Sequence, residues 1–232
     1  MSNRSKLEKF AENLKFNNVF ENYDYKSPQL YVGHQQPVNY KGKWKSEYFN
    51  NNYPLILELA CGRGEYSLGL ARMYPEVNVI GVDIKGARIW QGASNSIQEK
   101  INRIAFIRTK IELLEHFFET EEVDEIWITF PDPHPNPTDS IKRLVSNYFL
   151  DIYSKIIVKN AQLHLKTDEP NYYEFGLKTI GARSDFEIIY SNNDIYNQSL
   201  YSPSLEIKTY YERMHLEKSR TIKYIHFKYS TK

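Results

Sequence analysis

Residues 55–67 read LILELACGRGEYS, and residues 77–83 read VNVIGVD. The first stretch is a short apolar run that ends in a glycine-spaced turn and passes into helix-favouring text. The second is another apolar run, ending in an acid. That order predicts a strand, a tight turn, a helix and a parallel second strand. Worked outward, strands are expected at Leu55–Ala60, Val77–Val82, Ile104–Thr109, Glu125–Phe130, Gln162–Lys166, Phe186–Tyr190 and Thr221–Lys228. Helices are expected at Glu65–Tyr74, Ala87–Lys100, Leu113–Phe118, Ile141–Tyr153 and Tyr172–Thr179. Alternation of this kind predicts a Rossmann-like α/β fold: a seven-stranded, mostly parallel sheet with helices on both faces. Ligands of such sheets bind beyond the carboxyl ends of the strands, so the loops there carry the chemistry.

Upstream, Ser5 and Glu8 form a capping-box pattern before Leu7, Phe10, Ala11 and Leu14 at helical spacing. Residues 17–53 are rich in Asn, Tyr, Gly and Pro and read as an irregular arm. The expected organisation is therefore an N-terminal helix and arm over residues 1–53 and one main domain over residues 54–232.

Composition narrows the classes. One cysteine, Cys61, excludes an intramolecular disulfide and a thiolate zinc site, and no metal is expected. No apolar run approaches the ~20 residues of a membrane span. The start, MSNRSKLEKFAENL, has no apolar leader segment, so a soluble cytoplasmic protein is expected. Thirty basic against 29 acidic residues argue against a purely electrostatic nucleic-acid binder. The charge is uneven, however. Residues 1–50 and 206–232 lean basic, and Glu112–Glu125 holds acids with no Lys or Arg, so the two ends can face a polyanion. Lys41, Lys43, Lys45, Arg213 and Arg220 are the candidate phosphate contacts.

The turn after the first strand carries Gly62 and Gly64, which permit positive φ and close approach of a ligand to the backbone. A dinucleotide fingerprint needs a third glycine where Ser67 stands. Glu58, on the strand just before the turn, would repel a pyrophosphate and suits a ligand with an ammonium group. Asp83, ending the second strand, suits ribose hydroxyls. Adenosine with a cationic amino-acid tail describes S-adenosylmethionine. Thr109, ending the third strand, would lie along the adenine. After the fourth strand comes FPDPHPNP, residues 130–137, a stiff loop that carries Asp132.

The segments ELACGRGEY (58–66), NVIGVDIKGAR (78–88), the FPDP loop followed by KRLVSNYFL, LHLKTDEPNYY (163–173) and IKTYYE (207–212) together resemble the bacterial-type tRNA (guanine-N7)-methyltransferases, from Lys41 to Lys228. The FPDP loop and the TD and TxxE elements are specific to that family, whereas the glycine loop marks only the wider class. The resemblance implies a class I S-adenosylmethionine-dependent fold and the activity of a tRNA (guanine(46)-N(7))-methyltransferase, acting in the variable loop of its partner tRNA. It implies cofactor binding by Glu58, Gly62, Gly64, Asp83, Thr109 and Asp132, with Asp132 catalytic. Substrate binding falls to Asp168, Thr209, Tyr210, Tyr211 and Glu212. Three departures are visible: Ala60 replaces the loop's first glycine, Thr109 stands at a position often Asp, and Asn136 stands at the usual lysine, with Lys142 and Arg143 as possible replacements. Oligomeric state is open, a homodimer included.

Three rival readings stand beside this one, the first of them also a methyltransferase. A methyltransferase for another RNA, an amide or an amine would favour an aromatic after the second proline of the loop, where His134 stands. An NAD(P)-dependent oxidoreductase needs the missing glycine. A non-catalytic RNA-binding subunit has no need of Glu58, Asp83 and Asp132.

Overall fold

A computed structural model describes residues 4–230, in two compact units that divide after Glu119. In the first unit the capping box forms as expected. Ser5 Oγ accepts from Glu8 N–H at 3.2 Å, Glu8 Oε2 accepts from Ser5 N–H at 2.6 Å, and α1 spans Lys6–Asn13. Strands β1 (Val19–Asn22), β2 (Leu30–Val32) and β3 (Gln36–Val38) follow, then β4 (Leu55–Leu59), α2 (Glu65–Met73), β5 (Asn78–Asp83), α3 (Gly86–Gln98) and β6 (Ile104–Arg108). The strand order is β3-β2-β1-β6-β5-β4, parallel from β1 to β4, with β2 and β3 as an antiparallel margin.

The segment expected to be irregular thus supplies three strands. The short run Val19-Phe20 sits among asparagines that mask its pattern, but both side chains are buried. A wide π-helical turn, Trp44–Tyr48, closes the segment over β1. Trp44 is fully buried, 5.2 Å from Phe20 and 5.8 Å from Phe118 between ring centroids, and its Nε1–H donates to Phe117 C=O at 2.9 Å. Burial of aromatics on this scale holds the arm down.

The second unit holds β7 (Val123–Thr129), α4 (Asn147–Tyr153), β8 (Ile157–Thr167), α5 (Pro170–Gly181), β9 (Phe186–Asn192), α6 (Tyr210–Glu217) and β10 (Lys223–Tyr229). Its strand order is β7-β8-β10-β9, with only β7 and β8 parallel. The seven-strand expectation is therefore corrected to ten among the described residues, six in the first unit and four in the second, each unit including antiparallel strands. β8 is longer than expected because Asn160, at φ +64, is a bulge within the strand rather than its boundary. The helix expected from Ile141 starts only at Asn147, after a 3-10 turn at Pro137–Lys142; Leu113–Phe118 is likewise a 3-10 turn, at Ile111–His116. No helix among the described residues is long and apolar enough to cross a membrane.

A polar layer lies on the face of β7, β8 and β10. His164 stacks on Trp127 at 4.0 Å and on His226 at 4.6 Å, and bonds Tyr224 Oη through Nδ1 at 2.7 Å. Glu125 Oε1 accepts from Trp127 Nε1–H at 2.5 Å and lies 3.2 Å from His164 Nε2. Burial, with His164 beside it, pushes His226 down to about 4, and the His164 and Trp127 contacts lower the Glu125 carboxyl despite its burial. Both groups have a depressed folded pKa, so each contributes stability above its unfolded pKa and loses it on acidification. The melting temperature should therefore fall between pH 6.5 and 4, and His226→Gln should flatten that window in thermal melts across pH. An unchanged pH profile in the variant would contradict this account.

Candidate functional site

In the first unit the turn between β4 and α2 alternates through the left-handed region: Ala60 at φ +57, Gly62 at +55 and Gly64 at +66. The turn's N–H groups are bonded internally: Cys61 N–H donates to Val82 C=O at 3.1 Å and Gly64 N–H to Cys61 C=O at 2.8 Å. Two glycines serve different needs. A Cβ on Gly64 would lie 2.5 Å from Phe106 Cε1, whereas one on Gly62 would meet nothing nearer than Ala60 O at 4.0 Å. Gly62 therefore leaves the space beside the backbone open. Glu58 is buried on β4, where Oε2 accepts from Ser67 N–H at 2.7 Å and from the Ser67 hydroxyl. The acid thus caps the first turn of α2. Asp83 ties two loops together: Oδ2 accepts from Gly62 N–H at 2.8 Å and Oδ1 from Lys85 N–H at 2.7 Å. Glu58, Gly62, Gly64 and Asp83 are accordingly brought together at the carboxyl ends of β4 and β5. Cys61 is buried in the same turn, and burial beside Glu58 and Asp83 pushes its thiol well up, so it stays protonated and unreactive.

Thr109 departs from its expected role. It is fully buried; its N–H donates to Asp83 C=O at 3.2 Å and its hydroxyl accepts from Asn22 Nδ2–H at 3.1 Å.

In the second unit Asp132 lies exposed in the loop after β7. Two left-handed residues, Phe130 at φ +49 and His134 at +42, bracket it. Arg143 fixes the loop: Nη2–H and Nε–H donate to His134 C=O at 3.0 and 3.3 Å, and the guanidinium lies 4.7 Å from the Phe175 ring centre. Arg143 is buried, so of the two proposed cation replacements only Lys142 is exposed, paired with Asp139 at 2.7 Å. Asp168, just past β8, accepts from Arg220 Nη1–H at 2.6 Å. His215 Nδ1 lies 3.2 Å from the same Oδ2 without hydrogen-bond geometry, and its ring stacks on Phe130 at 5.9 Å.

Thr209 N-caps α6, its Oγ1 accepting from Glu212 N–H at 3.2 Å. Tyr210 is exposed and Tyr211 half-buried. Glu212 is fully buried with Lys166. The ammonium lies 2.8 and 2.9 Å from the two carboxylate oxygens and also donates to Leu205 and Ile207 C=O at 3.1 and 3.2 Å. Tyr196 Oη–H donates to Glu212 at 2.7 Å. The expected direct substrate contact by Glu212 is corrected by this burial: every oxygen already has an internal partner. Four of the five phosphate candidates, all but Lys45, have the following internal partners. Lys41 donates to Glu115 C=O, Lys43 pairs with Glu47, Arg213 donates to Lys208 C=O, and Arg220 holds Asp168.

Comparison with known proteins puts these motifs in a lineage. The family model described as "Putative methyltransferase" matches residues 52–225. A tRNA (guanine-N(7)-)-methyltransferase of Bacteroides fragilis is 44% identical over 97% of this chain and 85% of its own. One of Christiangramia forsetii is 42% identical over 98% and 99%. This chain belongs to the tRNA (guanine-N7)-methyltransferase family. Among solved structures, the 16S rRNA methyltransferase KamB superposes with TM-score 0.64 at 9% identity, covering 85% of this chain and 97% of that one. The fold is that of the class I S-adenosylmethionine-dependent methyltransferases.

Against the family pattern, Ala60 is the departure with a measurable cost. A side chain at φ +57 is strained by roughly 1–2 kcal/mol, and glycine there removes the strain at some entropic expense. Ala60→Gly should stabilise the methyltransferase by about 1 kcal/mol, a rise of about 2–4 °C in melting temperature by calorimetry. A fall would show that the loop gains more from the methyl group than it loses in strain. Lys166, the anchor of α6, was not expected from sequence, and Arg143 was expected as a cation toward substrate rather than as the anchor of the proline-rich loop. The signal for Lys166 was a cation inside the apolar text LHLKTD, since a buried charge requires a partner. Among the described residues no cluster of His, Cys, Asp and Glu has a metal-binding arrangement.

Proposed function

We propose that this chain transfers the methyl group of S-adenosylmethionine to N7 of a guanosine in the variable loop of tRNA. The observation that carries the reading is 44% identity over 97% of the chain with a relative of that name. The donor set fits the cofactor: a buried acid, an open glycine cradle and a strand-end acid are what an amino-acid tail and a ribose require. When bound, S-adenosylmethionine supplies a methyl carbon on a sulfonium that leaves as a neutral thioether.

Glu58 and the turn it caps hold the amino-acid tail, and Asp83 orients the ribose. Guanine N7 carries an in-plane lone pair and no proton, so no side chain must deprotonate it. The residues' work is alignment, which is worth several kcal/mol. Methylation makes the base cationic, and Asp132 supplies a fixed negative charge that stabilises this charge as it develops. A carboxylate also accepts from guanine N1–H and N2–H, an edge adenine lacks, which suits Asp132 or Asp168 to base selection. N7 lies in the deep groove of A-form RNA, out of side-chain reach, so the target is taken from a loop or drawn from its stack.

The experiment is a tRNA transcript made with 7-deazaguanosine, in which N7 is replaced by C–H. Labelled S-adenosylmethionine should mark the ordinary transcript and leave the deaza transcript unlabelled. Equal labelling of both would overturn the choice of atom.

A further inference from the structure

Asp132 stands midway between two left-handed residues, Phe130 at φ +49 and His134 at φ +42. Prolines 131, 133, 135 and 137 leave the segment few angles to turn about, so its ends decide where the carboxylate points. The far end is fixed, because His134 C=O accepts from buried Arg143 at 3.0 and 3.3 Å. At the near end Phe130 N–H donates to Lys166 C=O at 2.8 Å, which pins the backbone to β8. The Phe130 ring lies against the His215 ring, 5.9 Å between centroids and 21° between planes. A phenylalanine keeps a positive φ only where its surroundings over-determine it. Here an amide bond and a ring contact restrain it together.

His215 is half-buried in α6, whose first turn is fastened by the Thr209 cap and by Glu212 on Lys166. Its ring is thus delivered from a fixed support. Its polar edge adds little. Nδ1 lies 3.2 Å from Asp168 Oδ2 without hydrogen-bond geometry, and that oxygen already accepts from Arg220 at 2.6 Å. What His215 supplies at this place is a flat face.

We propose that His215 is a positioning residue for methyl transfer: its ring holds Phe130 in the left-handed conformation and so directs the Asp132 carboxylate two residues on. The inference rests on the proposed role of Asp132. His215 acts through Phe130 and not on the base. A carboxylate moved by a fraction of its reach loses its hold on the developing charge, so losing the ring lowers rate and spares affinity.

Two readouts test this. In the free chain, amide hydrogen exchange by NMR follows Phe130 N–H, and His215→Ala should quicken it about 10-fold. In single turnover at saturating donor and tRNA, the same variant should slow methyl transfer about 10-fold, with affinities for S-adenosylhomocysteine and tRNA within about 2-fold of wild type. His215→Phe, a ring without nitrogens, should restore both readings. His215→Asn, which keeps a polar atom near the Nδ1 position and has no ring, should leave both impaired. Should the alanine variant fail to fold by circular dichroism, the contrast between the phenylalanine and asparagine variants carries the same expectation. Wild-type exchange or wild-type rate in the alanine variant would overturn the role of His215, as would rescue by asparagine rather than phenylalanine. Lost tRNA affinity at an unchanged rate would overturn it too, by making His215 a substrate contact. A wild-type chain that transfers no methyl group would instead overturn the function beneath it, while the exchange readings would still report the ring contact.

Discussion

Asp132→Asn should lower the rate of methyl transfer about 100-fold or more at saturating donor and tRNA, while tRNA affinity stays near wild type. The substitution keeps size and shape and removes only the charge. The loop that presents Asp132 is rigid before any ligand arrives. Prolines 131, 133, 135 and 137 fix alternate φ angles, Phe130 and His134 sit in the left-handed region, and buried Arg143 holds His134 C=O at 3.0 Å. A stiff loop does not reorganise to compensate, so the loss reports the field at the base. Single-turnover kinetics paired with a filter-binding measurement separate rate from affinity. Wild-type turnover in the amide variant would remove Asp132 from the chemistry.

Glu212→Ala should destabilise the protein by about 3–5 kcal/mol in urea unfolding, because it strands the Lys166 ammonium in the interior. That is a large part of the 5–15 kcal/mol typical of a folded domain. The double variant Lys166→Met/Glu212→Leu should recover part of the loss, since removing both charges removes the stranded ion. Recovery stays incomplete because Leu205 C=O, Ile207 C=O and the Tyr196 hydroxyl lose their partners. The double variant should still methylate poorly. Lys166 and Glu212 tie the end of β8, next to Asp168, to the first turn of α6 and to Thr209. A Glu212→Ala protein as stable as wild type, with only weakened RNA binding, would restore Glu212 to the surface role that sequence implied.

The central strands were legible because their signals are local and unmixed. Leu55–Leu59 and Asn78–Asp83 are unbroken buried runs, the glycine turn follows the first and an acid ends the second. The margins were not legible. β1 is four residues among asparagines, and its strand character comes from pairing with β6, far along the chain. The start of β8 was not legible either, because Asn160 at φ +64 bulges inside the strand, which begins at Ile157 rather than Gln162. The candidate site divides in the same way. Glu58, Gly62, Gly64 and Asp83 were readable from spacing. Glu212 was readable as important but not as buried, because its partner Lys166 is 46 residues away.

The most direct measurement incubates the purified chain with methyl-labelled S-adenosylmethionine and tRNA lacking 7-methylguanosine, digests the RNA, and identifies the labelled nucleoside by mass. The account predicts label in 7-methylguanosine, mapped to the variable loop and absent from the Asp132→Asn reaction over the same interval. Label in any other nucleoside, or none with donor binding demonstrated, would contradict it.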